Sequence, residues 1–346
     1  MTTVRPALDP ELRALLADMP LMTRLDHELL AQFRQLPSAP VEALLEGRRI
    51  DHREITVEGE GGARITLSVF SPSGADTDTD TDTDTDTDTD TDAGEAGAAR
   101  DRRAAGAPCV LWMHGGGMVM GDRFSQIDIP LEWLDRFGAV VVSVEYRLAP
   151  EAGGTTPVDD CYRSLLWVEE HAEELGVDRS RIVVAGVSAG GGLAAGVTLM
   201  ARDRGVPAVA AQMLVCPMLD HRNDTASSRQ YSGGPGVWTR EMNEFGWRSL
   251  LGGLRGAEVP GHVSPAVAED LSGLPTTYVD AGSAEVFRDE VVTYATRIWE
   301  SGGQAELHVW AGGCHGFDAL YPRAHVSAEA RRTRNGWLAR VLSPVE

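Results

Sequence analysis

The sequence predicts an α/β fold in which a mostly parallel central sheet is flanked by helices. After Ala107, short apolar runs typical of strands alternate with longer amphipathic runs typical of helices, and this alternation indicates β-α-β units. Two of the strand-like runs also end in glycine-rich loops, at His114 and at Gly186. Because functional loops in such folds lie at the carboxyl ends of the strands, the sequence indicates a chemically active α/β domain.

The amino-terminal segment predicts two short helices followed by a strand. Over Asp9–Gln35, apolar residues recur at helical spacing with a break at Pro20. Over Ala63–Phe70, apolar and polar residues alternate, which predicts a half-buried edge strand. We expect residues 1–45 to form cap helices over a catalytic domain that occupies 46–346.

A low-complexity repeat of Asp and Thr runs from Asp76 to Asp92. It belongs to a block over about 75–106 that has nothing to bury and repels itself, so we expect a disordered surface loop there. Calcium binding by the spaced carboxylates is the alternative. The glycine-bearing pattern of calcium loops is missing, so we favour the disordered loop.

The rest of the chain carries the predicted parallel sheet. The alternation of strand-like and helix-like runs is interrupted over about 220–263, where aromatic residues lie among Gly and Arg. We therefore expect a cap insertion there that packs with the amino-terminal helices. The strand-like runs are Cys109–Met113, Ala139–Val144, Ile182–Ala185, Ala208–Val215, Thr276–Val279 and Ala305–Trp310.

Composition points to small-molecule chemistry. The formal net charge is −21, from 52 acidic and 31 basic residues, and so acidic a chain repels nucleic-acid phosphates and anionic membranes. The basic residues counted here are all Arg, which excludes mechanisms that need a lysine. The four cysteines are far apart, and no stretch is apolar enough to span a membrane. We therefore expect a cytoplasmic protein with a small-molecule partner, and a homodimer is compatible with the sequence.

The first catalytic motif is Gly186-Val187-Ser188-Ala189-Gly190, which follows a short apolar strand and opens a helix of small residues. A sharp strand-to-helix turn lifts a serine hydroxyl into a cleft, and glycines on either side allow the close backbone approach that it needs. The alternative is a helix start packed closely on the sheet. The preceding strand and the second motif favour Ser188 as a nucleophile.

The second motif is His114-Gly115-Gly116-Gly117, directly after the strand Cys109–Met113. Glycines there leave backbone N–H groups free to stabilise the oxyanion of a tetrahedral intermediate. A flexible turn with a structural His114 is the alternative. Its pairing with the serine motif favours the oxyanion function.

With these two motifs the sequence resembles the hormone-sensitive-lipase-like bacterial esterases, a family with the α/β-hydrolase fold. The resemblance extends from about Pro108 to Phe317 and includes the segments Tyr146–Glu151 and Arg288–Glu290. It implies that Gly116, Gly117 and Ala189 donate the oxyanion N–H groups, that His114 and Gly115 shape the turn, and that the amino-terminal helices cap the pocket.

The general base follows the acid in the chain order of this fold, which leaves His308, His315 and His325. His308 lies inside a strand, where a structural role is favoured, and His325 lies among the residues that start a helix near the surface. His315 lies on a glycine-flanked loop just after the strand Ala305–Trp310 and matches the His-x-Phe pattern of the family. We therefore predict His315 as the base.

The acid is predicted to be Glu285, with Asp280 as the alternative. The family usually has Asp at the position of Glu285, before the segment Arg288–Glu290. Glutamate can orient an imidazole as aspartate does, and both occur in this fold. Asp280 competes because it ends the strand Thr276–Val279.

Other residues are predicted to support the structure or to line the substrate pocket. Arg147 and Glu151 are expected to hold the loop beneath the oxyanion turn through ion pairs. Two interpretations stay open for a set of apolar residues, which either line an acyl pocket or belong to the ordinary core: Met22, Phe33, Met118, Val119, Met120, Tyr231 and Trp238.

These predictions amount to a serine carboxylesterase that hydrolyses short to medium acyl esters through an acyl-enzyme, with no cofactor and no metal. An amide or carbamate hydrolase or a deacetylase with the same triad is the first alternative. A catalytically inactive small-molecule receptor on the same fold is the second. Such a receptor is expected to lack a triad member, whereas Ser188 and His315 are both present.

Overall fold

A computed structural model describes residues 4–36, 39–74, 106–254 and 258–343. The Asp-Thr repeat, with the loop predicted over about 75–106, therefore lies outside the described residues except for residue 106. Among the described helices, none is both long and apolar enough to cross a membrane.

The described strands form one sheet in the order β1-β2-β4-β3-β5-β6-β7-β8. Pairing is antiparallel from β1 to β2 and from β2 to β4, and parallel from there to β8. The predicted mostly parallel sheet is therefore confirmed. The strands are β1 Ile50–Glu58, β2 Arg64–Pro72, β3 Ala107–Met113, β4 Val140–Glu145, β5 Val177–Val187, β6 Ala211–Val215, β7 Thr276–Gly282 and β8 Ala305–Trp310.

The strand β2 is not the edge strand that its alternation predicted, because β1 pairs along its outer side. The strand β1 had no clear sequence signal. It carries Asp51, Arg53 and Glu54 on a mostly exposed ribbon. Charged side chains are common on edge strands, where they discourage pairing with other chains. In β1 they interrupt the alternation of apolar and polar residues that would otherwise predict a strand.

Helices cover both faces of the sheet. Along β3, Cys109, Leu111 and Met113 face one apolar cluster, and Val110 and Trp112 face the other, as the two-residue period of a strand requires. The helices are α1 Pro10–Leu16, α2 His27–Phe33, α3 Val41–Leu45, α4 Asp128–Phe137, α5 Thr156–Glu170, α6 Ala189–Arg204, α7 Ala226–Gln230, α8 Arg240–Leu251, α9 Arg288–Glu300, α10 Phe317–Leu320 and α11 His325–Leu342.

The two helices predicted over Asp9–Gln35 are present as α1 and α2, each with an aspartate that caps its amino terminus. They meet the segment predicted as a cap insertion. Met22 bridges to Gly236, and Thr239 Oγ1 donates to the carbonyl of Thr23 at 2.7 Å. The third helix, α3, packs instead through Val41 and Leu44 on the apolar cluster that contains Val110 and Trp112 of β3.

A fully buried cluster of charges ties α11 to the end of β7. Arg334 donates through Nε to Asp280 Oδ2 at 2.9 Å and also pairs with Asp318. Burial alone would raise the pKa of Asp318, but the Arg334 guanidinium holds it below its ordinary value. The cluster therefore keeps the Asp318 carboxylate ionised in the interior.

Replacing Arg334 by Met is expected to destabilise the fold by about 3–5 kcal/mol, because Asp280 and Asp318 lose their buried counter-charge. Urea unfolding followed by circular dichroism measures the change. Arg332→Met is the matched control, since Arg332 lies on the same helix but pairs with Glu329 at the surface. Its loss should stay within about 1 kcal/mol. Equal losses in the two variants would contradict the account.

Candidate active site

Ser188 lies in a sharp turn between β5 and α6. Its backbone has φ 57° and ψ −120°, a left-handed conformation that costs free energy for a side-chain-bearing residue. A Cβ on Gly186 would lie 2.3 Å from the carbonyl oxygen of Gly190, and a Cβ on Gly190 would lie 2.0 Å from that of Met113. Both glycines are therefore required for the backbone to close around the serine.

The structure brings His315 to Ser188 across the carboxyl edge of the sheet. His315 Nε2 lies 2.9 Å from Ser188 Oγ, and both side chains are buried. His315 stands on the loop after β8, where Gly313 packs so closely that a Cβ on Gly282 would lie 2.0 Å from its carbonyl oxygen. This backbone contact fixes the loop at the distance that the imidazole needs.

Glu285 completes the hydrogen-bonded chain. His315 Nδ1 donates to Glu285 Oε2 at 2.6 Å, and the N–H of Gly282 donates to Oε1 at 2.9 Å. The carboxylate accepts only, so it selects the imidazole tautomer with hydrogen on Nδ1. Nε2 is then free to accept the hydrogen of Ser188.

The structure does not bring Asp280, the alternative acid, into contact with His315. Its carboxylate accepts hydrogen bonds from Arg334, from the Tyr278 hydroxyl at 3.1 Å and from Trp310 Nε1 at 3.1 Å. These contacts give Asp280 a structural function at the end of β7.

The other two late histidines lie away from Ser188. His308 is partly buried in β8, with Nε2 3.1 Å from Glu306 Oε1, and His325 begins α11 at the surface. Among the three histidines, only His315 has a hydrogen bond with the serine.

The glycine turn lies directly beside Ser188. A Cβ on Gly115 would lie 3.3 Å from Ser188 Cβ. Gly116 and Gly117 have φ of 118° and 63°, and added Cβ atoms there would lie 2.0 Å from the Met120 carbonyl oxygen and 2.5 Å from the Trp238 ring. Substitution would therefore distort the turn at either position.

The predicted oxyanion donors have N–H groups that the protein itself leaves available. Among the described residues, the N–H groups of Gly116 and Gly117 donate to no backbone carbonyl. Ala189 is the first residue of α6, so its N–H has no partner within the helix.

His114 and Tyr146 support the turn from below. Their rings stack at 4.3 Å, and the Tyr146 hydroxyl donates to the His114 carbonyl at 2.9 Å. His114 Nδ1 donates to the Gly115 carbonyl at 2.7 Å. Burial lowers the pKa of His114, so the ring is neutral and acts as a structural donor.

Gln126, which was not predicted as a site residue, also supports the turn, because its Oε1 accepts the N–H of Gly115 at 2.9 Å. No sequence signal marks this residue. Arg147 and Glu151 do form ion pairs, as expected: Arg147 pairs with Asp160, and Glu151 pairs with Arg34, directly after α2. The latter pair connects the predicted cap to the loop below the turn.

Cys216, Glu285 and His315 place possible metal-ligand atoms within 4.8 Å of one another. The Glu285 and His315 atoms already bond to each other. Burial raises the pKa of Cys216 well above its ordinary value, so its thiol stays protonated and ligates metal poorly. The donor set therefore fits a hydrogen-bonded triad better than a metal centre.

Two cavities border this site. One of about 320 Å³ lies beside His315 and is lined by Tyr231 and Trp238. The other, of about 860 Å³, lies behind Gly115 and Gly116 and is lined by Phe33 and Met120. Of the remaining residues considered for the pocket, Met118 and Val119 are buried in the core, and Met22 packs against it.

Comparison with known proteins places the chain in a family. Residues 110–319 match the family model described as alpha/beta hydrolase fold. The carboxylesterase NlhH of Mycobacterium tuberculosis is 31% identical over 91% of this chain and 90% of its own length. The chain therefore belongs to the α/β-hydrolase fold family.

Other relatives identify the group within that family. Esterase LipI of M. tuberculosis is 29% identical over 90% of this chain and 88% of its own length. The solved structure of a bacterial heroin esterase superposes with a TM-score of 0.82 and 35% identity, over 98% of this chain and 99% of that one. The expected resemblance to hormone-sensitive-lipase-like esterases is thus confirmed.

Glu285→Gln is expected to lower kcat for p-nitrophenyl butyrate by about 10⁴, because an amide can donate to Nδ1 and so favours the wrong imidazole tautomer. Stopped-flow or initial-rate kinetics measure the loss. Glu306→Gln is the control, because Glu306 also bonds to a histidine, His308, but outside the site. A Glu285→Gln enzyme that kept a tenth of its activity would rule Glu285 out as the acid.

Proposed function

We propose that the protein is a serine carboxylesterase that hydrolyses short to medium acyl esters. The hydrogen-bonded chain Glu285–His315–Ser188 beside free N–H groups carries this proposal. Relatives that are named esterases across nearly the whole chain support the same bond type.

Acylation begins when Ser188 Oγ attacks the ester carbonyl and its proton passes to His315 Nε2. Glu285 stabilises the imidazolium that forms and keeps the ring oriented. The low exposure of the three residues, 7% for Ser188, 8% for His315 and 1% for Glu285, strengthens these interactions because water screens them little.

The N–H groups of Gly116, Gly117 and Ala189 stabilise the oxyanion of the tetrahedral intermediate. The positive end of α6, which begins at Ala189, adds to this stabilisation. The intermediate collapses when His315 protonates the departing alcohol. Water, deprotonated by the same histidine, then hydrolyses the acyl-enzyme.

The cap predicted from the sequence sets the size of the substrate in this proposal. The end of helix α2 is attached to the core through the next residue, Arg34, which donates to the carbonyls of Val119 and Ala149 at 2.7 Å each. The two cavities under these segments, of about 320 and 860 Å³, suit short and medium groups. Long-chain triglycerides would not fit without movement of the cap.

A cytoplasmic location also belongs to the proposal. The four cysteines are buried free thiols, and burial raises the pKa of Cys109 and of Cys314 to about 12. Such thiols are compatible with a reducing compartment and are chemically unreactive there.

Ser188→Ala is expected to reduce kcat/KM for p-nitrophenyl butyrate by at least about 10³, because no nucleophile remains to form the acyl-enzyme. It should also abolish labelling by a fluorophosphonate probe. Ser301→Ala, at the end of α9, is the control and should keep full rate and full labelling. Unchanged activity in the Ser188→Ala protein would refute the proposed function.

A further inference from the structure

The cavity beside His315 has an apolar body with aromatic walls. The rings of Tyr231 and Trp238 line it, and Trp238 also lies against Gly117 of the predicted oxyanion turn. Its volume of about 320 Å³ admits one aromatic or short aliphatic group. The wall also includes apolar residues from the amino-terminal segment and the predicted cap insertion: Pro6, Ala7, Leu8, Leu16, Leu21 and Val237.

Two arginines also line this cavity, and neither forms an ion pair with a carboxylate of the described residues. Arg5 is held in place: it donates to the carbonyls of Gln230 at 2.8 Å and Pro235 at 3.0 Å, and its guanidinium lies 4.8 Å from the Tyr231 ring centroid. These acceptors are neutral, so the charge of Arg5 is not cancelled.

Arg13, at the rim, carries the second free charge. Within the described part of the chain its guanidinium makes neither a hydrogen bond nor an ion pair, although α1 holds its backbone in place. The carboxylate of Glu285 also lines the cavity, but it is already bonded to His315 and Gly282. In a chain of net charge −21, this cavity is therefore locally positive.

The position of the cavity determines which part of an ester would occupy it. The histidine must protonate the departing alcohol, so the alcohol lies on the His315 side of Ser188 while the carbonyl oxygen points to the glycine turn. A cavity walled by His315 accordingly receives the alcohol.

We infer that the enzyme prefers esters whose alcohol carries a carboxylate on an aromatic or short aliphatic body, with Arg13 and Arg5 binding that carboxylate. This inference rests on the proposed esterase function. Arginine suits the task because its planar guanidinium can donate two parallel hydrogen bonds to one carboxylate.

The test compares 4-acetoxybenzoate with its neutral analogue 4-acetoxybenzamide, and the measured quantity is the ratio of their kcat/KM values. Comparing this ratio between variants cancels the intrinsic reactivity of the two esters. Arg13→Gln should lower the ratio of 4-acetoxybenzoate to 4-acetoxybenzamide roughly tenfold, because a tenfold change corresponds to the loss of about one hydrogen bond to a charged group. Arg13→Lys keeps the positive charge and should restore part of the lost ratio. Raising the salt from about 0.1 to 1 M should also lower the wild-type ratio, because the Debye length falls from about 10 to 3 Å.

Arg24→Gln is the matched control. Arg24 is exposed in the same amino-terminal segment and does not line the cavity, so its loss removes the same net charge and should leave the ratio unchanged. An equal fall in the Arg24 and Arg13 variants, or no fall in either, would overturn the inference. The inference would also be overturned if Arg13→Gln lowered kcat/KM more for mono-p-nitrophenyl succinate, which carries its charge on the acyl side, than for 4-acetoxybenzoate.

The same experiment separates this inference from the proposed function. If the wild type hydrolyses 4-acetoxybenzamide and reacts with the fluorophosphonate probe but the ratio is insensitive to Arg13, only the charge preference is wrong. If the wild type hydrolyses neither ester and resists the probe, the proposed function and the inference fail together.

Discussion

The turn at Ser188 depends on backbone atoms that approach more closely than any side chain would allow. Gly190 packs against the Met113 carbonyl at the end of β3, and Gly186 packs against Gly190. This contact joins the serine turn to the strand that continues into the glycine turn of Gly115. The predicted nucleophile and oxyanion donors therefore belong to one closely packed backbone unit, and the surrounding sheet holds Ser188 in its left-handed conformation. The close packing of the backbone therefore sets the positions of the Ser188 hydroxyl and the predicted oxyanion N–H groups, and side-chain contacts are not needed for this.

Two buried carboxylates, Asp280 and Glu285, lie near the carboxyl end of β7 but have different hydrogen-bond partners, and these partners suit them to different functions. Asp280 is neutralised by Arg334 and joins β7 to α11, whereas Glu285 has no arginine partner among the described residues and bonds to an imidazole and an amide. A carboxylate that is already paired with a guanidinium would gain little from a developing imidazolium. Glu285, in contrast, can respond to that charge. The difference is a physical reason for the structural function of Asp280 and supports the proposed catalytic function of Glu285.

The parts of the structure that could be predicted from sequence are those encoded by local patterns. The serine turn needs a strand, two glycines and a helix that are contiguous in the chain. Chain order leaves three late histidines, and the glycine-flanked loop after the strand Ala305–Trp310, with the His-x-Phe pattern of the family, selects His315 among them. The strand β1 was missed because its charged residues obscure the alternation. Gln126 supports Gly115 and Asp160 pairs with Arg147 through contacts that only the folded chain creates. The cavity lining is likewise beyond sequence patterns, because Arg5 and Tyr231 are separated by most of the chain.

The central claim is that Ser188 becomes covalently acylated during turnover. The most direct measurement is an acid quench of the reaction with p-nitrophenyl butyrate in the steady state, followed by peptide mass spectrometry. We expect a butyryl ester on the peptide that contains Ser188, formed with a burst of p-nitrophenol and removed as the substrate is exhausted. Turnover with Ser188 unmodified and the butyryl group on another residue would contradict it.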